Sequence, residues 1–167
     1  MPNTKIQLYI ELLEAARKQT VQAAAGVPEG KRFKQLQEGK ATPAWLVGHL
    51  ANTINVLVVM FILEGESLLS KEQGFTFAPD FAGGKAPTEN PEEYPAWDEI
   101  ITLYNAVFDR ALEGLAKLDD SALPDPMSGN MPERLREHFS SVEVTLGFMV
   151  SHDAYHRGQI GLLSKLN

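Results

Sequence analysis

From Thr4 to about Ala24 the apolar residues Ile6, Tyr9, Ile10, Leu13 and Ala16 recur at intervals of three and four, and Glu11, Glu14, Arg17 and Lys18 fall on the opposite side. That period predicts an amphipathic helix with one buried stripe. Gly26, Pro28 and Gly30 end it, and 31–40 reads as loop with one turn at most, in which Phe33 and Leu36 are isolated anchors. Thr42-Pro43 predicts a second start, because a threonine hydroxyl can accept from a free amide and proline loses no bond at the first helical position. This second helix is expected to run to about Leu69. Its centre, Val56 to Leu63, is apolar on every side, as in a helix enclosed by others.

The region 74–95 mixes Gly83, Gly84, Pro79, Pro87, Pro91 and Pro95 with Phe75, Phe77 and Phe81, which predicts a long loop folded over something. Helical spacing returns from about Pro95 to Leu118, in Trp97, Ile100, Ile101, Tyr104, Val107, Phe108, Ala111 and Leu115. Pro124, Pro126, Gly129 and Pro132 then exclude a regular element. A short turn over Glu133 to Phe139 precedes a new start at Ser140, where Ser140-Ser-Val-Glu143 has capping-box spacing, and the last helix runs to about Leu166. No segment alternates as a strand would. Four long helices with apolar stripes predict an all-α four-helix bundle with two long connections, a single domain over 1–167.

Composition narrows the partners. A formal net charge of −7, with fifteen Lys and Arg scattered along the chain, disfavours nucleic acid and anionic lipid. The longest unbroken apolar run, Val56 to Leu63, is too short to span a membrane. Residues 1–18 lack the apolar core of a signal peptide, so a cytoplasmic location is the default expectation. The absence of cysteine excludes thiolate metal sites and cysteine nucleophiles, leaving nitrogen and oxygen as metal donors.

Among those donors the histidines stand out. His152 and His156 are four apart on the last helix, so their imidazoles project side by side from one face and can converge on one ion. Val142, Met149, His156 and Leu163 fall seven apart on an inward seam, which places His156 where a leucine is expected. Thr42, His49, Val56 and Leu63 share one heptad position on helix two, turning His49 inward as well. Three imidazoles at about 2.0 to 2.1 Å with a position left open form the type of site associated with catalysis. A plainer reading stands beside this, in which a histidine on an apolar face is a hydrogen-bonded core residue; it weighs more on His49 alone than on the pair. His138, beside Arg136 and Glu137, reads as a surface residue. The run His152-Asp-Ala-Tyr-His156 also has the spacing of the H-E-x-x-H zinc motif, but with a shorter carboxylate and too little chain after it for a downstream ligand. Half of a di-iron carboxylate pattern is present in Asp153-x-x-His156 and the other half is missing.

The segment Thr42-Pro-Ala-Trp-Leu-Val-Gly-His49-Leu, followed near the C-terminus by His152-Asp-Ala-Tyr-His156-Arg-Gly-Gln159, resembles the DinB/YfiT-like superfamily over nearly the whole chain. The resemblance implies an up-down-down-up bundle holding one divalent ion, commonly nickel or zinc, on His49, His152 and His156. It further implies a small-molecule substrate, a homodimer, and either transfer chemistry using a low-molecular-weight thiol or hydrolysis. A non-catalytic metal-binding or sensing protein is the alternative. The family's name derives from damage induction and carries no implication of DNA binding.

Spacing adds residues around the triad. Asn52 lies one turn beyond His49, Gln159 three beyond His156, and Asp153 beside His152, so each can orient a ligand ring or a bound water. Asp153 and Arg157, at i and i+4, equally suit a pair on the helix surface, and Gln159 equally suits packing at the bundle end. Trp45 and Met149 sit one turn before the histidines, at the pocket mouth or in the core. Gly48 and Gly158 are expected to permit close helix approach. The aromatic loop is expected to wall the substrate.

Overall fold

Thr4 opens the first helix, α1 (Lys5–Ala25), and its hydroxyl accepts from Gln7 N at 3.2 Å. A distant residue completes the cap: the Asp120 carboxylate accepts from the amides of Lys5 and Ile6 at 3.0 and 2.9 Å, satisfying donors that a helix start leaves without partners. The computed structural model describes residues 4–79, 82–128 and 130–165. Thr42 Oγ1 accepts from Trp45 N at 3.1 Å and Pro43 takes the first position of α2 (Pro43–Ile54), as the sequence leads one to expect.

Beyond Ile54 the helix continues in π form over Asn55–Ile62, ending with Leu63 N on the carbonyl of Val58, five residues back, at 2.9 Å. It therefore stops short of Leu69. Two features close it: Glu64 adopts φ 52°, and the Asn55 side chain ties down the following turn, donating to Ser67 Oγ and accepting from Leu68 N at 2.9 Å each. Pro43–Ile62 is one helix long and apolar enough to cross a membrane, further than Val56 to Leu63 alone suggests, yet 72% of its most apolar window is buried within the fold. It is the core helix of the bundle.

A short helix, α3 (Lys71–Phe77), forms where loop is expected, because Ser70 and Gln73 make a reciprocal capping box. Then come α4 (Trp97–Leu115), α5 (Glu133–Arg136) and α6 (Val142–Lys165). The start of α6 lies one residue later than the Ser140 box: Ser141 Oγ accepts from Val144 N at 3.3 Å, while the amides of Val142 and Glu143 bond the carbonyls of Asp125 and Leu123. The preceding loop supplies the acceptors that Ser140 is not needed for. Among the described residues there is no strand.

Contacts at the helix ends give the directions. Lys5 pairs with Glu143 at 3.2 Å, so α1 and α6 begin at the same end, and Asp120, just past α4, meets the start of α1. Leu63 packs on Gly114, where a Cβ would come within 2.2 Å of it, so α2 and α4 finish together. The order is up, down, down, up. Each of α1 and α2 packs on both α4 and α6, around a core that includes Leu13, Leu46, Leu50, Ile100, Phe108 and Leu146. Of the expected anchors, Phe33 is half-buried against Tyr94, but Leu36 is 52% exposed.

Candidate metal centre

His49 sits on the second turn of α2 and His152 and His156 on adjacent turns of α6, the helix packed against it. Their Nε2 atoms converge: His49 to His152 is 3.3 Å and His156 to His152 is 3.1 Å. Two nitrogens each about 2.0 to 2.1 Å from one ion lie about 2.9 Å apart at a right angle and about 3.3 Å apart at a tetrahedral one, so these separations fit a shared ion.

The outer face of two rings is fixed by the protein. His49 Nδ1 lies 3.0 Å from the carbonyl of Phe77, which can only accept, so Nδ1 carries the proton and Nε2 is bare. His156 Nδ1 lies 2.6 Å from Gln159 Oε1 and takes the same tautomer, the arrangement that orients metal-binding imidazoles. His152 Nδ1 is buried without a partner among the described residues, and its ring is held by stacking on Phe148, centroids 4.9 Å apart. His49 and His156 thus turn two bare lone pairs on His152 Nε2, which in a metal-free site can meet one of them with its own proton and in a loaded site would share one cation with both. The donor set fits a divalent ion.

The supporting residues divide. Gln159 takes the orienting role. Asn52 is nearly buried on the wall of the adjoining cavity, and among the described residues nothing hydrogen-bonds its side chain, so it faces the space where a ligand would lie. Asp153 orients no ligand ring. It is 1% exposed on the far side of α6, accepting from Thr20 Oγ1 (2.8 Å), Tyr104 OH (2.9 Å) and Arg157 Nη1 (3.0 Å). Its pair with Arg157 exists, but in the interior and not on the surface. Trp45 backs the site from behind: its ring stacks on His49 at 4.6 Å and 9°, and its indole donates to the Thr76 carbonyl at 3.0 Å. Met149 is fully buried in the core, and His138 is exposed.

Phe77, through its backbone, is the participant that side-chain reasoning passes over. The signal for it is Gly48, where a Cβ would stand 2.1 Å from the Phe77 ring, so only glycine lets α3 come close enough to hold His49. Gly158 has no such neighbour. Of the other loop aromatics, Phe75 is 53% exposed and Phe81 lies outside the described residues.

Burial pushes the His49 ring down to about 4, although its bond to the Phe77 carbonyl pulls it up. His152 is pushed down to about 3 by burial and then by His156 and His49, and burial lowers His156 too. In the unfolded chain these rings titrate near 6.5. The unfolded state thus takes up protons that the metal-free folded state refuses, and stability must fall as pH drops from about 7 towards 4, by up to about 1.4 kcal/mol per pH unit for each ring. Thermal melts of the metal-free protein are expected to show this decline, and His152→Leu to flatten it. Equal slopes in the two would contradict the assignment.

A cavity of about 380 Å³ opens beside the triad, bordered by His49, His152 and Asn52, by apolar side chains from the π-helical turn and the chain around α5, and by Gly74 of α3. Among the described residues its aromatic wall is Phe61, Phe139 and Phe148, and the loop expected to form it contributes Ala78, Pro79 and Ala82.

Comparison with known proteins agrees with this description. A family model described as the DinB superfamily matches residues 12–160. A crystal structure titled "conserved protein of locus from Enterococcus faecalis" superposes with a TM-score of 0.73, covering 97% of this chain and 96% of that one at 16% identity. That likeness speaks for the fold. No curated protein matches the sequence.

Proposed function

This chain belongs to the DinB superfamily, and from that membership we propose that it is a divalent-metal-dependent enzyme acting on a small molecule, by thiol transfer or by hydrolysis. The observation that carries the reading is the convergence of three Nε2 atoms at the border of an apolar cavity. A structural staple would use four protein ligands, whereas His49, His152 and His156 would hold an ion with three, beside that space. Nickel and zinc both suit such donors. An ion held there supplies the Lewis acidity that lets a bound thiol or water lose its proton near neutral pH.

The protein's own residues do the rest. Phe77 and Gln159 hold two ligand rings in the tautomer that keeps Nε2 free, and Trp45 and Phe148 fix ring planes by stacking. The Asn52 amide offers a donor and an acceptor to whatever enters. The chain contains no cysteine, so in thiol transfer the nucleophile has to be a separate low-molecular-weight thiol. Its sulfur would bond to an electrophilic carbon as the leaving group departs with the bonding pair.

The test is a turnover screen of nickel- and zinc-loaded protein with thiols plus electrophiles on one side and esters and amides on the other. Turnover with either class, absent from metal-free protein, is expected. Stoichiometric metal with no turnover in any class would favour a binding or sensing protein instead.

A further inference from the structure

The cavity beside the histidines contains no Asp or Glu among its described lining residues, in a chain that carries 22 of them. Among the described lining residues the only fully charged side chain is Arg134. Arg134 is exposed and, among the described residues, has no hydrogen-bond or ion-pair partner. Its surroundings are arranged to leave it so. Glu133 pairs with Arg136 at 3.6 Å, and Arg136 also donates to the carbonyls of Met131 and Ser128 at 3.1 Å each. One arginine of this short segment is thus engaged structurally and the other borders the cavity.

We propose that the cavity binds an amphipathic organic anion, with its apolar body against Phe139 and Phe148 and its carboxylate or phosphate on Arg134. The volume lies within the range of small-molecule pockets. A guanidinium fork matches either acid group with two parallel hydrogen bonds. The other end of such a molecule would meet the histidines. The inference names the substrate class of the enzyme proposed above; it rests on that reading for the chemistry at the histidines, and anion binding itself needs no metal.

Two fluorescent probes test it, the anionic 8-anilino-1-naphthalenesulfonate and the neutral N-phenyl-1-naphthylamine. Arg134→Gln is expected to weaken the sulfonate about tenfold, the effect of losing one charge-assisted contact, and to leave the neutral amine within about twofold. Ala82→Trp, which adds bulk at the cavity border, is expected to weaken both. Decanoate and monodecyl phosphate should displace the sulfonate better than 1-decanol, their ratio distinguishing the two acids, and Arg134→Gln should remove the advantage. Metal content measured on the same samples separates the two readings. Arg134-dependent binding by metal-free protein supports the anion site whatever becomes of the metal, and unchanged metal in Arg134→Gln shows that the triad is intact. Sulfonate binding equal in wild type and Arg134→Gln, equal weakening of both probes, or indifference to Ala82→Trp would overturn the proposal.

Discussion

Replacing His152 with alanine is expected to lower affinity for a divalent ion by about 100- to 1000-fold while leaving the fold intact. His152 is the middle of the triad, with the other two Nε2 atoms at 3.3 and 3.1 Å. A four-ligand structural zinc site is worth roughly 10–16 kcal/mol, or about 2.5–4 kcal/mol for each ligand, which sets the size of the loss. The fold survives because the ring borders an existing cavity, so its removal opens no sealed void in the core. Competition titration against a chromophoric chelator measures the effect, with the exposed His138→Ala as the control that should change nothing. Wild-type affinity in His152→Ala would remove His152 from the site.

Asp153→Ala is expected to act on stability and not on metal. Three donors from α1, α4 and α6 meet on this buried carboxylate, and burial that pushes its carboxyl up is opposed by the Thr20, Tyr104 and Arg157 donors. Burial, and then the Asp153 charge, push the Tyr104 hydroxyl far up, so it stays protonated and donates. Truncation leaves two buried hydroxyls and a half-buried guanidinium facing a void, at a cost of about 3 kcal/mol. For a chain of this length that is a melting temperature lower by about 10 °C. Asp153→Asn keeps the shape and one acceptor oxygen and should lose about half as much. Metal bound per folded molecule should stay constant in both. A change below about 1 kcal/mol in Asp153→Ala would show that the network contributes little.

Much of the bundle is legible in the sequence because local patterns and tertiary demands agree there. Thr42-Pro43 caps where it should, and the stripes of α1, α4 and α6 are the buried faces. The histidine pair follows from i, i+4 geometry alone. What escapes the sequence depends on partners far along the chain. The π-helical turn at Asn55–Ile62 has no glycine or proline to announce it, and it ends the heptad count from which His49 was turned inward towards Val56 and Leu63. Asp153 looks like half of a surface pair because Arg157 is its only neighbour in sequence; Thr20 and Tyr104 arrive from other helices. Trp45 and Met149 have the right spacing for a pocket mouth, but spacing does not distinguish the wall of a cavity from the layer behind it. The group that fixes His49 is a backbone carbonyl, which no side-chain pattern encodes.

X-ray absorption at the metal edge of zinc- or nickel-loaded protein reads directly whether His49, His152 and His156 bind one divalent ion together. One ion per chain is expected, with three imidazole nitrogens at about 2.0 to 2.1 Å and oxygen scatterers completing the shell. A shell with two or fewer imidazoles, or one dominated by carboxylate oxygen, would contradict it.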